Sequence, residues 1–312
     1  MRSTIHHRYA DVDGHRIFYR EAGPRDAPTL LLLHGFPSSS SMFRGLLPLL
    51  ADRWHLLAPD HLGFGHSDAP AAGDFGYSFD ALSSLTAGLL EQLCVTRYAM
   101  YVHDYGAPIG WRLALHDPSA ISAIISQSGN AYQIGLQQEF FAPVLAYWEK
   151  KSAATERGVR QALTVEATRW QYIAGVGDET LIDPSTWVLD HALLSRPGND
   201  LVQLALFGDY ATNLALYPAV QRYFRQSQVP LLAVWGRGDP VFGPAGAQAF
   251  ATDLPHAEIH LVDGGHFLLE SALAETTALI RKFLSAVLPG DGGDCAPGRT
   301  RPGCSRTGSG TP

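Results

Sequence analysis

The segment with the clearest potential for chemistry is YAMYVHDYGAPIGWRLAL, residues 98–115, which has Asp104 near its centre. An apolar run leads up to Asp104, the pair Tyr105-Gly106 follows it, and apolar residues at helical spacing come next. This pattern predicts a strand, a sharp turn and a helix, and such a turn holds its central side chain above the end of the strand. The N–H of the next residue and the helix N-terminus face the same space, so a nucleophile and an anion site would arise together.

Four other short motifs follow apolar runs in the same way. They are HGFP at 34–37, PDHLGFGHSD at 59–68, WGRGDP at 235–240 and GGHF at 264–267. With these motifs the chain resembles the α/β-hydrolase family, whose turn reads G-x-nucleophile-x-G and whose acid and histidine follow in that order. Asp104 stands where serine is commonest, and Val102 stands where the family pattern has its first glycine. The resemblance implies that Asp239 is the acid and His266 the base.

An aspartate in the nucleophile position favours a reaction at a different kind of carbon. A carboxylate attacking a carbonyl would give an anhydride, which disfavours an esterase, whereas attack on an sp³ carbon bearing a halide or an epoxide oxygen gives an alkyl ester. We therefore expect a covalent ester on Asp104, hydrolysed by water that His266 activates while Asp239 orients the ring. The backbone N–H groups of Phe36 and Tyr105 would hold the oxyanion. This route needs no metal and no cofactor.

The HDxG sequence is similar to that of the branch with an aspartate nucleophile, whose members differ in how they bind the leaving group. Haloalkane dehalogenases have tryptophan after the nucleophile and haloacetate dehalogenases have arginine, but this chain has Tyr105, and Phe36 replaces a second halide donor. Asn130 is a candidate replacement donor. The resemblance to epoxide hydrolases implies cap tyrosines that bind the epoxide oxygen, and the candidates are Tyr210, then Tyr172, then Tyr147. We expect an epoxide hydrolase, with a haloalkane or haloacid dehalogenase as the alternative.

Seven short apolar runs alternate with longer helical segments, which is typical of parallel strands joined by helices. The runs lie at 16–20, 29–33, 55–58, 98–102, 121–126, 231–235 and 258–262. With the resemblance they predict an α/β-hydrolase fold, with a mostly parallel eight-stranded sheet flanked by helices. We assign residues 1–132 and 225–288 to the core, 133–224 to an inserted helical cap, and the Gly- and Pro-rich residues 289–312 to a disordered tail.

The composition limits the partners of the chain. Its 23 Lys and Arg against 30 Asp and Glu give a net charge of −7 without a basic run, so we expect no nucleic-acid binding. We find no signal-peptide pattern and no apolar stretch of membrane-spanning length, so we expect a soluble cytoplasmic protein, monomeric or homodimeric. The expected partners are a hydrophobic small-molecule substrate and water. A non-catalytic small-molecule binding protein on the same fold is the alternative from another functional class.

Overall fold

A computed structural model describes residues 4–288, and its centre is a sheet of eight strands. The strands are β1 (Ile5–Val12), β2 (His15–Ala22), β3 (Thr29–Leu33), β4 (His55–Pro59), β5 (Tyr98–His103), β6 (Ile121–Gln127), β7 (Leu231–Gly236) and β8 (Glu258–Val262). Their order in the sheet is β1-β2-β4-β3-β5-β6-β7-β8. β2 pairs antiparallel with both β1 and β4, and the other neighbouring pairs are parallel. This architecture confirms the predicted fold class.

The first strand is the one that the apolar runs do not include. β1 lies at the edge of the sheet, and most of its side chains are exposed or half-buried, so its sequence IHHRYADV carries little apolar signal. Backbone pairing with β2 stabilises it, from Ile5 opposite Ala22 to Val12 opposite His15. Asp13 and Gly14 join the two strands with φ of 51° and 77°, and Asp-Gly pairs are favoured in hairpin turns that require positive φ.

The central strands are apolar throughout because both faces of the sheet are covered. In β3, Leu31 and Leu33 belong to one buried apolar cluster, whereas Leu30 and Leu32 belong to another. Successive side chains of a strand point to opposite faces, so an uninterrupted leucine run supplies both clusters at once. A strand of this kind can end in a polar turn above the sheet while its body stays anchored.

Twelve α-helices surround the sheet within the described residues. Six of them, α1–α3 and α10–α12, follow the strands of the core, and α4–α9 all lie between β6 and β7, where the sequence analysis assigned the cap. Their bounds are α1 (Leu47–Leu50), α2 (Phe79–Gln92), α3 (Gly106–His116), α4 (Gln138–Glu149), α5 (Ala153–Arg160), α6 (Val165–Ile173), α7 (Ser185–Leu194), α8 (Asn199–Asp209), α9 (Ala211–Ser227), α10 (Pro244–Asp253), α11 (Leu268–Ser271) and α12 (Leu273–Val287).

Several contacts tie the inserted helices to the core, and two of them show how α8 and α9 are held. The Phe79 N–H at the start of α2 donates to an Asp209 carboxylate oxygen at 2.8 Å, which links α2 to the end of α8. The Trp111 ring of α3 packs edge-on against Phe224 of α9 at 5.4 Å, so α9 runs past residue 224 into contact with the core. The boundary at 224 stays a prediction, and the predicted tail lies outside the described residues. No helix within residues 4–288 is both long and apolar enough to cross a membrane.

Candidate active site

Asp104 lies in the turn between β5 and α3 with a φ of 47°. Backbone packs so closely around it that a β-carbon at Gly35 would lie 2.3 Å from the Asp104 β-carbon, and one at Gly106 would lie 2.2 Å from the Leu33 carbonyl oxygen. Those two glycines therefore allow the HGFP loop and the start of α3 to approach the turn. The departure at Val102 is accommodated elsewhere, because a β-carbon at Gly110 would meet a Val102 methyl group at 2.7 Å.

The two oxygens of the Asp104 carboxylate have different surroundings. Oδ1 accepts hydrogen bonds from the backbone N–H groups of Phe36 at 2.7 Å and Tyr105 at 2.6 Å. These are the two donors that the sequence analysis expected, and they converge on one atom. Oδ2 lies 4.0 Å from Nε2 of His266. One oxygen is thus fixed by the backbone, and the other faces the imidazole.

His266 and Asp239 lie side by side beyond that carboxylate. Nδ1 of His266 is 3.1 Å and 3.2 Å from the two carboxylate oxygens of Asp239, so Asp239 fixes the ring through its far nitrogen. Asp239 is held in turn by the N–H groups of Val241 and Phe242, at 2.8 Å and 3.1 Å, and by the Ser128 hydroxyl at 2.6 Å. The sequence analysis missed Ser128, which lies just after β6 with a φ of 54°.

Burial and neighbouring charges together shift the pKa values of Asp104 and His266. It raises the pKa of Asp104 to about 6, although the nearby His266 ring and the two backbone N–H groups act in the opposite direction. Burial of the His266 ring opposes its charged form, but the Asp239 carboxylate outweighs this and raises the pKa of His266 above its ordinary value. An ionised Asp104 beside a titratable His266 is the charge arrangement that a nucleophile and its base require.

A second buried histidine packs against the first. The His103 ring lies 4.5 Å from the His266 ring between centroids, and burial holds the pKa of His103 well below its usual range. His103 Nδ1 lies 3.0 Å from the Gln127 carbonyl oxygen, which suits a neutral ring with its proton on Nδ1. The side-chain amide of Gln127 donates to the His266 carbonyl oxygen at 3.1 Å. Both neighbours were missed, although His103 precedes Asp104 directly.

Two tyrosine hydroxyls lie near Asp104. Tyr210, at the C-terminal end of α8, is hydrogen-bonded through its hydroxyl to Tyr217 of α9, and the Tyr217 hydroxyl also accepts from the Asn130 side-chain amide at 3.3 Å. Burial raises the pKa of both hydroxyls, and the negative charge of Asp104 contributes in the same direction. Tyr210 and Asn130 were candidates from the sequence. Tyr217 was not, since no local pattern distinguishes it from other tyrosines of the insertion.

The remaining two tyrosine candidates have other surroundings. The Tyr172 hydroxyl donates to Asp190 at 2.5 Å, while its ring stacks on Phe267 at 4.0 Å. Tyr147 packs within the insertion, with the Lys151 ammonium 5.7 Å from its ring centroid. Of the three tyrosines named from the sequence, Tyr210 has its ring 5.8 Å from that of Tyr105, the residue after Asp104. Tyr172 instead stacks on Phe267, the residue after His266, and Tyr147 packs within the insertion.

Comparison with known proteins agrees with the fold and the order of the motifs. The family model for the alpha/beta hydrolase fold matches residues 28–170 and 182–273. An uncharacterized hydrolase of Saccharomyces cerevisiae is 42% identical over 275 residues, covering 86% of this chain and 94% of that protein. A haloalkane dehalogenase of Mycobacterium marinum is 28% identical over 274 residues, covering 82% and 84%. The crystal structure of epoxide hydrolase A from Mycobacterium thermoresistibile shares the fold, with a TM-score of 0.71 and 22% identity over 91% of this chain and 99% of that one.

The chain therefore belongs to the α/β-hydrolase fold family, its relatives by sequence include haloalkane dehalogenases, and epoxide hydrolases are among the solved structures that share its fold.

Proposed function

We propose that this hydrolase opens epoxides through a covalent ester on Asp104. The observation that carries the proposal is the hydrogen-bonded pair of Tyr210 and Tyr217 beside a carboxylate that has one oxygen held by backbone and the other directed at His266. An epoxide oxygen becomes an alkoxide as its ring opens, and buried phenols are suitable donors to it.

In the first step, Oδ2 of Asp104 forms a bond to an epoxide carbon, and the bond between that carbon and the epoxide oxygen breaks. The phenol of Tyr210 or Tyr217 donates its proton to the oxygen, which leaves a hydroxyalkyl ester and a phenolate. Burial raises the pKa of both phenols, which keeps them protonated before the reaction. The phenolate regains a proton from water before the next turnover.

In the second step, water attacks Cγ of Asp104 and transfers a proton to Nε2 of His266. The negative charge develops on Oδ1, which already accepts from the N–H groups of Phe36 and Tyr105. Asp239 stabilises the imidazolium that forms. When the intermediate collapses, the bond between Cγ and Oδ2 breaks and the His266 imidazolium returns its proton to the former Oδ2, which leaves in the diol. The water oxygen stays on Asp104 with its second proton, and loss of that proton to solvent restores the carboxylate and balances the proton that the phenolate takes from water.

The test is intact-protein mass spectrometry of His266→Gln incubated with styrene oxide or with 1-bromobutane. Without the base, the ester should accumulate, and the Asp104→Asn/His266→Gln double variant should stay unlabelled. An adduct on Asp104 with all the atoms of styrene oxide supports epoxide opening. A butyl adduct alone, with bromide released, would replace the proposal by a dehalogenase. If neither reagent labels His266→Gln, the ester mechanism is refuted and a binding protein gains support.

One observation favours the dehalogenase as the second candidate. The Tyr105 hydroxyl is buried and has no hydrogen-bond partner among the residues that the structure describes. Tyr105 follows Asp104 directly, so a phenol in this position is available to a leaving halide. A relative of this chain, the protein of Mycobacterium marinum that is 28% identical, is named a haloalkane dehalogenase.

A further inference from the structure

The surface of the insertion carries a groove that the reaction above does not use. Its volume is about 860 Å³, within the range of about 300–1,000 Å³ that is typical of ligand pockets. It is bordered by α4, α5 and α6, and its apolar residues include Phe140, Val144, Val159, Ala162 and Trp170. The rings of Phe140 and Trp170 are parallel, with 6.1 Å between their centroids and an angle of 7° between their planes, and both residues line the groove.

Two residues of the groove connect it to Asp104. Phe207 lines the groove, and its ring packs 5.2 Å from that of Phe36 and 6.4 Å from that of Tyr105, the residues whose N–H groups bind Oδ1. Pro240 also lines the groove, and it follows Asp239 directly in the chain. A single aromatic ring thus separates the groove from the residues around the carboxylate. The groove is therefore adjacent to the candidate site, and the Phe207 ring lies between them.

The charges of the groove have one sign. Glu139 and Glu166, in the first turns of α4 and α6, are its charged lining residues, and it has no Lys or Arg among its described lining residues. Two arginines of the insertion are paired with other acids, Arg160 with Glu156 and Asp200, and Arg169 with Glu179. Because both groove carboxylates are exposed, their effect on a ligand is screened by salt.

We infer that this groove binds the apolar chain of an uncharged substrate, and that Glu139 and Glu166 select against substrates that carry a carboxylate. The inference rests on the proposed function for the identity of the substrate as an epoxide, but the binding itself does not depend on catalysis. Each methylene buried in the groove should raise affinity up to about four-fold. Long-chain neutral epoxides should therefore be preferred to short ones, and to acids of equal length.

Binding of 1-octanol and octanoate, measured by calorimetry on the full chain, tests the inference without turnover. Ala162→Trp fills the groove and should lower octanol affinity about 15-fold, the loss expected for displacing two methylenes. Ala154→Trp, on the exposed part of α5 outside the groove, is the matched control and should bind octanol like the wild type. Equal octanol affinity in the wild type and Ala162→Trp would overturn the groove as the binding site.

The charge selection has its own variant and control. Glu139→Gln/Glu166→Gln should strengthen octanoate binding about two- to ten-fold at about 0.01 M salt and leave octanol binding unchanged, and the gain should vanish at about 1 M salt. Glu149→Gln/Glu275→Gln removes the same net charge outside the groove. An equal gain in both double variants, or none in the first, would overturn the selection.

The two proposals fail in different ways. Octanol binding that Ala162→Trp disrupts, without any adduct on Asp104 of His266→Gln, would keep the groove and refute the proposed function. An adduct on Asp104 with octanol binding that is indifferent to Ala162→Trp would keep the proposed function and refute the groove.

Discussion

Replacing Tyr210 by phenylalanine removes one hydroxyl from the pair that is proposed to receive the epoxide oxygen. The Tyr210 ring packs against Phe79 at 5.7 Å and stacks parallel to Trp148 at 6.0 Å, and the phenylalanine ring keeps both contacts. The substitution therefore acts on hydrogen bonding, and the folded state should lose about 1 kcal/mol. The fold should be unchanged in circular dichroism, which leaves the reaction as the place where the loss appears.

The magnitude follows from the number of donors. Losing one preorganised donor to a developing oxyanion typically lowers the rate about 100- to 1000-fold. Tyr217 remains in Tyr210→Phe, so we expect the lower end, about 100-fold, which corresponds to about 2.7 kcal/mol. Each phenol partly compensates for the loss of the other, so Tyr210→Phe/Tyr217→Phe should lose more than the product of the two single effects.

The assay is rapid-quench mass spectrometry during a single turnover of styrene oxide, which follows the ester on Asp104 as it forms and disappears. Ester formation should slow in Tyr210→Phe, and ester hydrolysis should keep its rate because the phenols take no part in that step. Tyr223→Phe removes a hydroxyl from the same helix as Tyr217 and should behave like the wild type. Ester formation in Tyr210→Phe within about three-fold of the wild-type rate, or an equal loss in both steps, would refute the reasoning.

Three further predictions follow from the mechanism and the charges. In a single turnover in ¹⁸O water, the label should appear in Asp104 and not in the diol, and a labelled diol would exclude the ester. Because burial raises the pKa of Asp104 to about 6, the rate of ester formation should decrease as pH falls through this value. Because the pKa of His266 is raised, the rate of ester hydrolysis should increase with pH above the ordinary histidine range. Single-turnover rates of the two steps, measured against pH, test the direction of both changes. Hydrogen bonds from His55 and Arg25 lower the pKa of Glu21 to about 2. The contribution of Glu21 to stability is therefore fully present above its unfolded-state pKa of about 4.3 and is lost as pH falls toward 2. The melting-temperature difference between wild type and Glu21→Gln should shrink over that interval, and a constant difference would contradict the assignment.

The sequence predicted those parts of the fold in which a local pattern coincides with burial. All seven apolar runs form strands, because each strand is covered on at least one face of the sheet. β7 and β8, for example, lie where their runs indicated. β1 escaped prediction because an edge strand is stabilised by backbone pairing, which leaves no apolar signature. The long interval between β6 and β7 predicted an insertion, but the packing of α9 against α3 depends on side chains more than a hundred residues apart.

The candidate site was predictable where a motif fixes the backbone, and less so where distant side chains meet. Asp104, Asp239 and His266 each follow a strand of one parallel sheet, so their convergence follows from topology. Ser128 and Tyr217 reach the site by folding of segments that have no motif of their own. Their roles depend on single hydrogen bonds, to Asp239 and to Tyr210, which only coordinates show.

The backbone at Asp104 explains why an aspartate suits this turn. A φ of 47° is uncommon for residues other than glycine and costs about 1–3 kcal/mol, but aspartate and asparagine tolerate it better than most. The bonds from the Phe36 and Tyr105 N–H groups to Oδ1 offset part of that cost. The same two bonds hold Oδ1 in the position where the proposed mechanism places the oxyanion of its second step. The geometry that stabilises the turn therefore also leaves Oδ2, on the side of His266, as the oxygen that the proposed mechanism uses for attack.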